Sequence, residues 1–231
     1  ALYEQLARGH TMVEIEALKQ RLSTLKKITH ATIPSEQIIV AALKQKAVCV
    51  YKENGVTYIQ PIGAACIEHN VEKAILWLMN APAQLPLPFD LHNRIDEYNE
   101  HMVHFHGYRL TDQQCSAVAM ALNSRISLLS GFGGTGKTTT LKAIVELAEA
   151  QGTVVYVCAL AGKAANRARQ SINRPTFTIH NLKMLIQRNS ERINVDSDPL
   201  IIIDEASMID ISLANAFILA FKGRPFKLLL V

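Results

Sequence analysis

Residues Gly131-Phe-Gly-Gly-Thr-Gly-Lys-Thr138 match the pattern G-x-x-x-x-G-K-[ST] at every fixed position. A short apolar run, Arg125-Ile-Ser-Leu-Leu-Ser130, precedes them, and a helix-forming stretch from Lys137 to Ala150 follows. Gly131, Gly133, Gly134 and Gly136 let successive backbone N–H groups around Thr135 turn inward toward phosphate oxygens. The helix beginning near Lys137 adds its positive N-terminal end. Lys137 is then placed to reach the β- and γ-phosphates of ATP, and Thr138 to offer its hydroxyl to magnesium.

The surrounding sequence supplies the rest of such a site. Helices are predicted from Thr111 or Asp112 to about Asn123, and over 162–171, 178–188 and 211–221. Strands are predicted at Thr153–Cys158, Leu200–Ile203 and Lys227–Val231. The strands are apolar without alternation, as in strands covered on both faces. The fold class is therefore α/β, a parallel sheet with helices on both faces. Asp204 and Glu205 follow directly on Leu200-Ile-Ile-Ile203, at the strand end where parallel-sheet sites lie. Asp204 is the expected second magnesium anchor and Glu205 the expected polariser of the attacking water, with Lys137 the third catalytic candidate. The acidic pair argues against small-molecule kinases and GTPases and for ATPases that do mechanical work.

A net charge of +4 is too mild to name a partner. Its distribution is more telling: between 161 and 192 stand Lys163, Arg167, Arg169, Arg174, Lys183, Arg188 and Arg192, against Glu191 alone. Such a tract is either a solvated face or a surface for a phosphate backbone.

Residues 1–80 read as a small helical, winged-helix-like domain. An amphipathic helix over 11–28 carries Ile15, Leu18, Leu22, Leu25 and Ile28, with Thr11 and Glu14 at capping-box spacing. Ser35 is the expected cap of a helix over 36–46. Two strands, 47–52 and 56–60, flank Asn54-Gly55, a hairpin signal. A helix over 64–79 follows. Residues 81–108 read as a linker, with extended backbone at Pro82, Pro86 and Pro88, a stretch that also suits a proline-rich ligand, and some helix around 91–103. His101, His104 and His106 cluster there without a cysteine to complete a metal shell. Cys49, Cys66, Cys115 and Cys158 are too scattered for structural zinc or a disulfide framework, so a reducing cytoplasm is expected. No apolar run is long enough for a membrane-spanning helix.

Together these motifs resemble the RecD group of superfamily 1 helicases, which are 5′-to-3′ DNA helicases. Leu110-Thr-Asp-Gln-Gln114-Cys-Ser-Ala-Val118 resembles their adenine-recognition motif, with its glutamine at Gln114. Gly131–Thr138 followed by Thr139 and Thr140 resembles their first ATPase motif, and Asp204-Glu-Ala-Ser-Met-Ile-Asp210 the second. Leu160-Ala-Gly-Lys-Ala-Ala165 is similar to the DNA-contact motif Pro-Thr-Gly-Lys-Ala-Ala, with Ala161 in place of its threonine, and Thr178-Ile-His180 to a following Thr-x-His motif. The resemblance covers 109–231 well and implies a first RecA-like ATPase domain of the P-loop NTPase kind. It implies ATP and magnesium as cofactors and single-stranded DNA as partner, contacted by Gly162, Lys163, Arg167, Thr178 and His180. It also implies relatives such as the alpha subunit of exonuclease V, which act in DNA repair and recombination beside helicase–nuclease subunits, and conjugative relaxase-helicases. Lys227–Val231 is expected at the sheet centre, between the Leu200–Ile203 strand and the strand before Gly131. Because the chain stops at Val231, a fragment is expected, lacking a second motor domain with its arginine and hydrolysing ATP poorly alone. The alternative is a non-catalytic nucleic-acid- or protein-binding module with a structural nucleotide site.

Overall fold

The structure, a computed structural model, describes residues 2, 10–29, 33–81 and 90–231. Two compact units divide the chain: Ala1–Glu72 with Asp210–Asn215, and Lys73–Ile209 with Ala216–Val231.

In the smaller unit, β1 (Val13–Glu14), α1 (Ile15–Thr29), α2 (Ser35–Lys44), β2 (Val48–Glu53) and β3 (Val56–Pro61) follow in order. The strands form an antiparallel sheet in the order β1-β3-β2. Asn54 and Gly55 both take positive φ, +49° and +79°, as the two-residue turn between paired Glu53 and Val56 requires. Leu18, Ile39, Val48 and Ile59 form the core between helices and sheet. Two capping expectations fail. Glu14 pairs with Tyr58 in the sheet, so its backbone is extended and helix α1 starts one residue later, away from Thr11. Ser35 lies inside α2 and is buried; the preceding Pro34 is the cap, its carbonyl accepting from the amides of Gln37 and Ile38.

Helix α3 (Ile62–Asn80) turns Val71 and Leu78 inward. Helix α4 (Leu91–His106) corrects the reading of 81–108 as a linker. Asp90 caps it by accepting from the Asn93 amide at 3.2 Å, and Gly107 ends it with φ +70°. Ile95, Tyr98 and Met102 sit in the core of the larger unit, and buried Asn99 accepts from the Leu110 amide at 3.0 Å. Pro82, Pro86 and Pro88, with the proline-rich reading, lie outside the described residues. Among the described residues no group of three His, Cys, Asp or Glu side chains is placed to hold a metal, His101, His104 and His106 included.

The rest of the larger unit alternates α5 (Asp112–Asn123), β4 (Ile126–Leu128), α6 (Lys137–Ala150), β5 (Val155–Ala159), α7 (Gly162–Ile172), β6 (Thr176–Thr178), α8 (Ile179–Gln187), β7 (Leu200–Asp204), a single 3-10 turn, α9 (Ile211–Ala220) and β8 (Lys227–Leu230). All five strands are parallel, in the order β4-β8-β7-β5-β6. The short β6 at the edge is not foreseen in the sequence. Strand β8 lies between β4 and β7, with Leu229 fully buried, as the resemblance implies. Burial of Ile201, Ile202 and Leu229 explains the unbroken apolar runs; each contributes about 1.5–3 kcal/mol. Helices α4, α5 and α6 pack Met102, Val118 and Ile144 into the same core. Among the described residues no helix is long and apolar enough to cross a membrane.

A charged cluster is buried in this unit. The side chains of Arg125 and Asp198 are 6% and 4% exposed and form an ion pair. Buried Lys227 donates to the Leu122 carbonyl at 2.8 Å, and burial holds its pKa below the usual lysine range despite the nearby Asp198 charge.

Candidate nucleotide site

The loop between β4 and α6 is shaped by two close approaches that only glycine permits. A Cβ on Gly131 would lie 2.8 Å from Thr135 Oγ1. One on Gly136 would overlap Gln114 Nε2, and Gly136 also has φ +81°. Thr135 braces the loop by donating its hydroxyl to the Phe132 carbonyl at 2.8 Å. Gly136 is the N-cap of α6 and provides no side-chain cap, so the first amides of the helix point into the loop for an anion to accept. Lys137 Nζ donates to the carbonyls of Gly131 and Phe132 and so lies over the loop. Thr138 is exposed, Thr139 half-buried, and Thr140 buried with its hydroxyl on the Gly136 carbonyl at 3.1 Å.

Gln114 ties α5 to this loop. It completes a capping box: Thr111 Oγ1 accepts from the Gln114 amide at 3.3 Å, and Gln114 Oε1 accepts from the Thr111 amide at 2.9 Å. Gln114 Nε2 donates to the Thr135 carbonyl at 3.5 Å. A cleft of about 960 Å³ opens here, lined by Gln114, Ala117, Met120, Leu128, Phe132 and Lys137 among others. That is ample for a nucleotide. The apolar wall of Met120, Leu128 and 88%-exposed Phe132 was missed in the sequence, because a short strand end and a loop residue carry no period that marks exposure. A smaller hollow of about 270 Å³ in the other unit, lined by aliphatic residues such as Leu18, Leu22 and Ile39, offers no comparable chemistry.

Asp204 ends β7, and its register partner Ala159 ends β5. Burial pushes the Asp204 carboxyl above its ordinary range, and the Glu205 charge adds to this; the Glu205 amide, donating at 3.0 Å, and the charges of Arg167 and Lys137 pull it back. A half-buried carboxylate of this kind is one a cation stabilises. With the Thr138 hydroxyl it forms the sparse oxygen set that magnesium takes when phosphates supply further ligands, so the residues present fit the metal. Glu205 takes left-handed backbone, φ +56° and ψ +40°, a conformation that costs on the order of 1–3 kcal/mol for a non-glycine residue. Its carboxylate accepts from Arg167 Nη2 at 2.8 Å.

The basic tract is divided by the fold. Gly162 and Lys163 are exposed at the start of α7, whose N-cap Ala161 makes no side-chain cap. Arg167 faces the same way but is engaged with Glu205. Arg174 is held by Glu149 in a forked pair, 3.1 and 3.0 Å. Thr178 Oγ1 caps α8 by accepting from the Asn181 amide at 3.1 Å, which gives that hydroxyl a structural task; His180 is exposed beside it. The Arg167–Glu205 pair joins positions far apart in sequence, and only the adjacency of β5 and β7 reveals it.

Residues 109–231, just over half of the chain, match the AAA domain family. Over 102 residues, 43% of its length, the chain is 36% identical to the "ATP-dependent RecD2 DNA helicase" of Deinococcus radiodurans. Over 124 residues, 53% of its length, it is 33% identical to the "Probable conjugal transfer protein TraA" of Sinorhizobium fredii. It spans 14% and 11% of the lengths of these two relatives. A phosphate loop whose glycines are sterically required, an acidic pair at the end of β7 and this match together place the chain in the AAA domain family.

Proposed function

We propose that this chain carries the first motor domain of a RecD-type DNA helicase, in which ATP hydrolysis drives movement along single-stranded DNA. The observation that carries the reading is the shared position of the Gly131–Thr138 loop, the Asp204–Glu205 pair and the exposed start of α7, all following C-terminal ends of strands in one parallel sheet. Similarity to the Deinococcus helicase supports it. The loop amides and Lys137 bind the triphosphate, and the Gln114 side of the cleft receives the base. Magnesium, held by Thr138 and Asp204, supplies charge neutralisation on the phosphates when bound. Glu205 accepts a proton from the attacking water. Gly162, Lys163, Arg167, Thr178 and His180 form the strand-contacting edge. A motor shared with conjugative relaxase-helicases is the second reading, favoured by the match to TraA. The test is ATP hydrolysis and DNA binding by wild type, Lys137→Ala and Glu205→Gln. The motor reading requires both substitutions to abolish turnover while binding of a single-stranded DNA persists. Turnover that survives Glu205→Gln would sink it, and strand binding without any nucleotide hydrolysis would support the non-catalytic module instead.

A further inference from the structure

We propose that Arg167 is a strand-responsive positioning residue: it holds the Glu205 carboxylate in an ion pair, away from its task on water, until a DNA phosphate takes its guanidinium. The inference deepens the motor reading and rests on it. Three observations converge. Arg167 Nη2 lies 2.8 Å from Glu205 Oε1, so the carboxylate expected to accept the proton from water is already accepting from a guanidinium. A base so engaged is a weaker proton acceptor, because the cation stabilises its charged form. Second, the Arg167 side chain is 71% exposed and stands one helical turn after Lys163, with Ala164, Ala165 and Ala168 turned to the core. Arg167 therefore belongs both to the outward basic face of α7 and to the hydrolytic carboxylate. Third, Glu205 sits in left-handed backbone between Asp204 and a single 3-10 turn (Ala206–Met208), so its side-chain direction is set by few local constraints besides this pair.

The strength of the contact suits a release rather than a permanent brace. An exposed ion pair is weak, worth a factor of about five at most, whereas several phosphate contacts made together outcompete it. A guanidinium also matches phosphate in forked geometry at least as well as it matches one carboxylate oxygen. A strand lying along α7 from Lys163 would therefore draw Arg167 away and free Glu205. Nucleotide hydrolysis would then be slow without a strand and faster with one, through one side chain.

The experiment is single-turnover hydrolysis of radiolabelled ATP by the 231-residue chain in excess, which reads slow rates, with and without a twenty-nucleotide oligo-dT. For wild type, the strand raises the rate. Arg167→Ala raises the strand-free rate about three- to fivefold and brings the ratio of the two rates close to one, with ATP affinity unchanged. Arg167→Lys, which keeps charge but loses the fork, falls between. An Arg167→Ala chain whose strand-free rate is unchanged or lower overturns the proposal, and so does a preserved ratio. Glu205→Gln separates the two levels: hydrolysis insensitive to it refutes the motor reading itself. Hydrolysis lost in Glu205→Gln but not raised in Arg167→Ala refutes only the hold by Arg167.

Discussion

Gly136 shows how much one missing methyl group decides. Its φ of +81° disfavours any L side chain, and a Cβ would collide with Gln114 Nε2. Gly136→Ala should cost about 1–3 kcal/mol in urea unfolding and abolish ATP binding, because the capping-box glutamine and the loop cannot both keep their places. Gly133 meets nothing within 4 Å, and Gly133→Ala should be much milder in the same two measurements. Asp204 supplies a pH prediction. Its pKa is raised, chiefly by burial, so the neutral form persists to higher pH than in an ordinary aspartate. Magnesium takes the carboxylate, so magnesium-dependent nucleotide binding should rise with pH through that elevated pKa and weaken as pH falls below it. Asp204→Asn should flatten the profile; a wild-type profile flat down to the ordinary carboxylate range would contradict it. The identities of Lys137, Thr138, Asp204 and Glu205 were legible because each chemical role demands one residue type at a set spacing. The Arg167–Glu205 pair was not legible, because no spacing rule links positions on different strands.

At the scale of elements, caps separate local from non-local control. The Thr111–Gln114 box and the Asp90 cap are local patterns that the fold keeps. At Thr11–Glu14 the same pattern loses to sheet pairing of Val13 and Glu14 with Ile59 and Tyr58, a tertiary override of a local signal. Helix α7 starts at Ala161 without a side-chain cap, in extended backbone, φ −108° and ψ 148°, that suits a cap residue. Ala161→Thr should add about 0.5–1 kcal/mol of stability, read as a higher midpoint in urea without change in slope. Thr178→Ala should lose about 1 kcal/mol at the start of α8, where the hydroxyl now accepts from the Asn181 amide. A Thr178→Ala chain of unchanged stability would show that the cap is dispensable and return its hydroxyl to a purely DNA-facing role.

For the whole molecule, the parallel sheet brings both ends of the site together and buries the means of doing so. Asp198 pairs with Arg125 across 73 residues of sequence, and Lys227 on β8 shares the cluster. Asp198→Ala removes the carboxylate facing two buried cations and should cost about 3–5 kcal/mol in equilibrium unfolding. The Asp198→Ala/Lys227→Met double substitution should recover part of that loss, and failure to recover any would place the cost in packing rather than charge. By itself the sequence determined the local chemistry of this protein: the glycine loop, the acidic pair, the hairpin turn at Asn54-Gly55 and the apolar strands of a covered sheet. Each rests on a backbone angle, a donor type or a periodicity carried by neighbouring residues. Tertiary structure alone decided that α4 belongs to a core, that Lys227 and Asp198 are buried, and that Arg167 meets Glu205. Those outcomes depend on which strands lie side by side, and that arrangement is settled by packing between segments too distant in sequence for any local pattern to record.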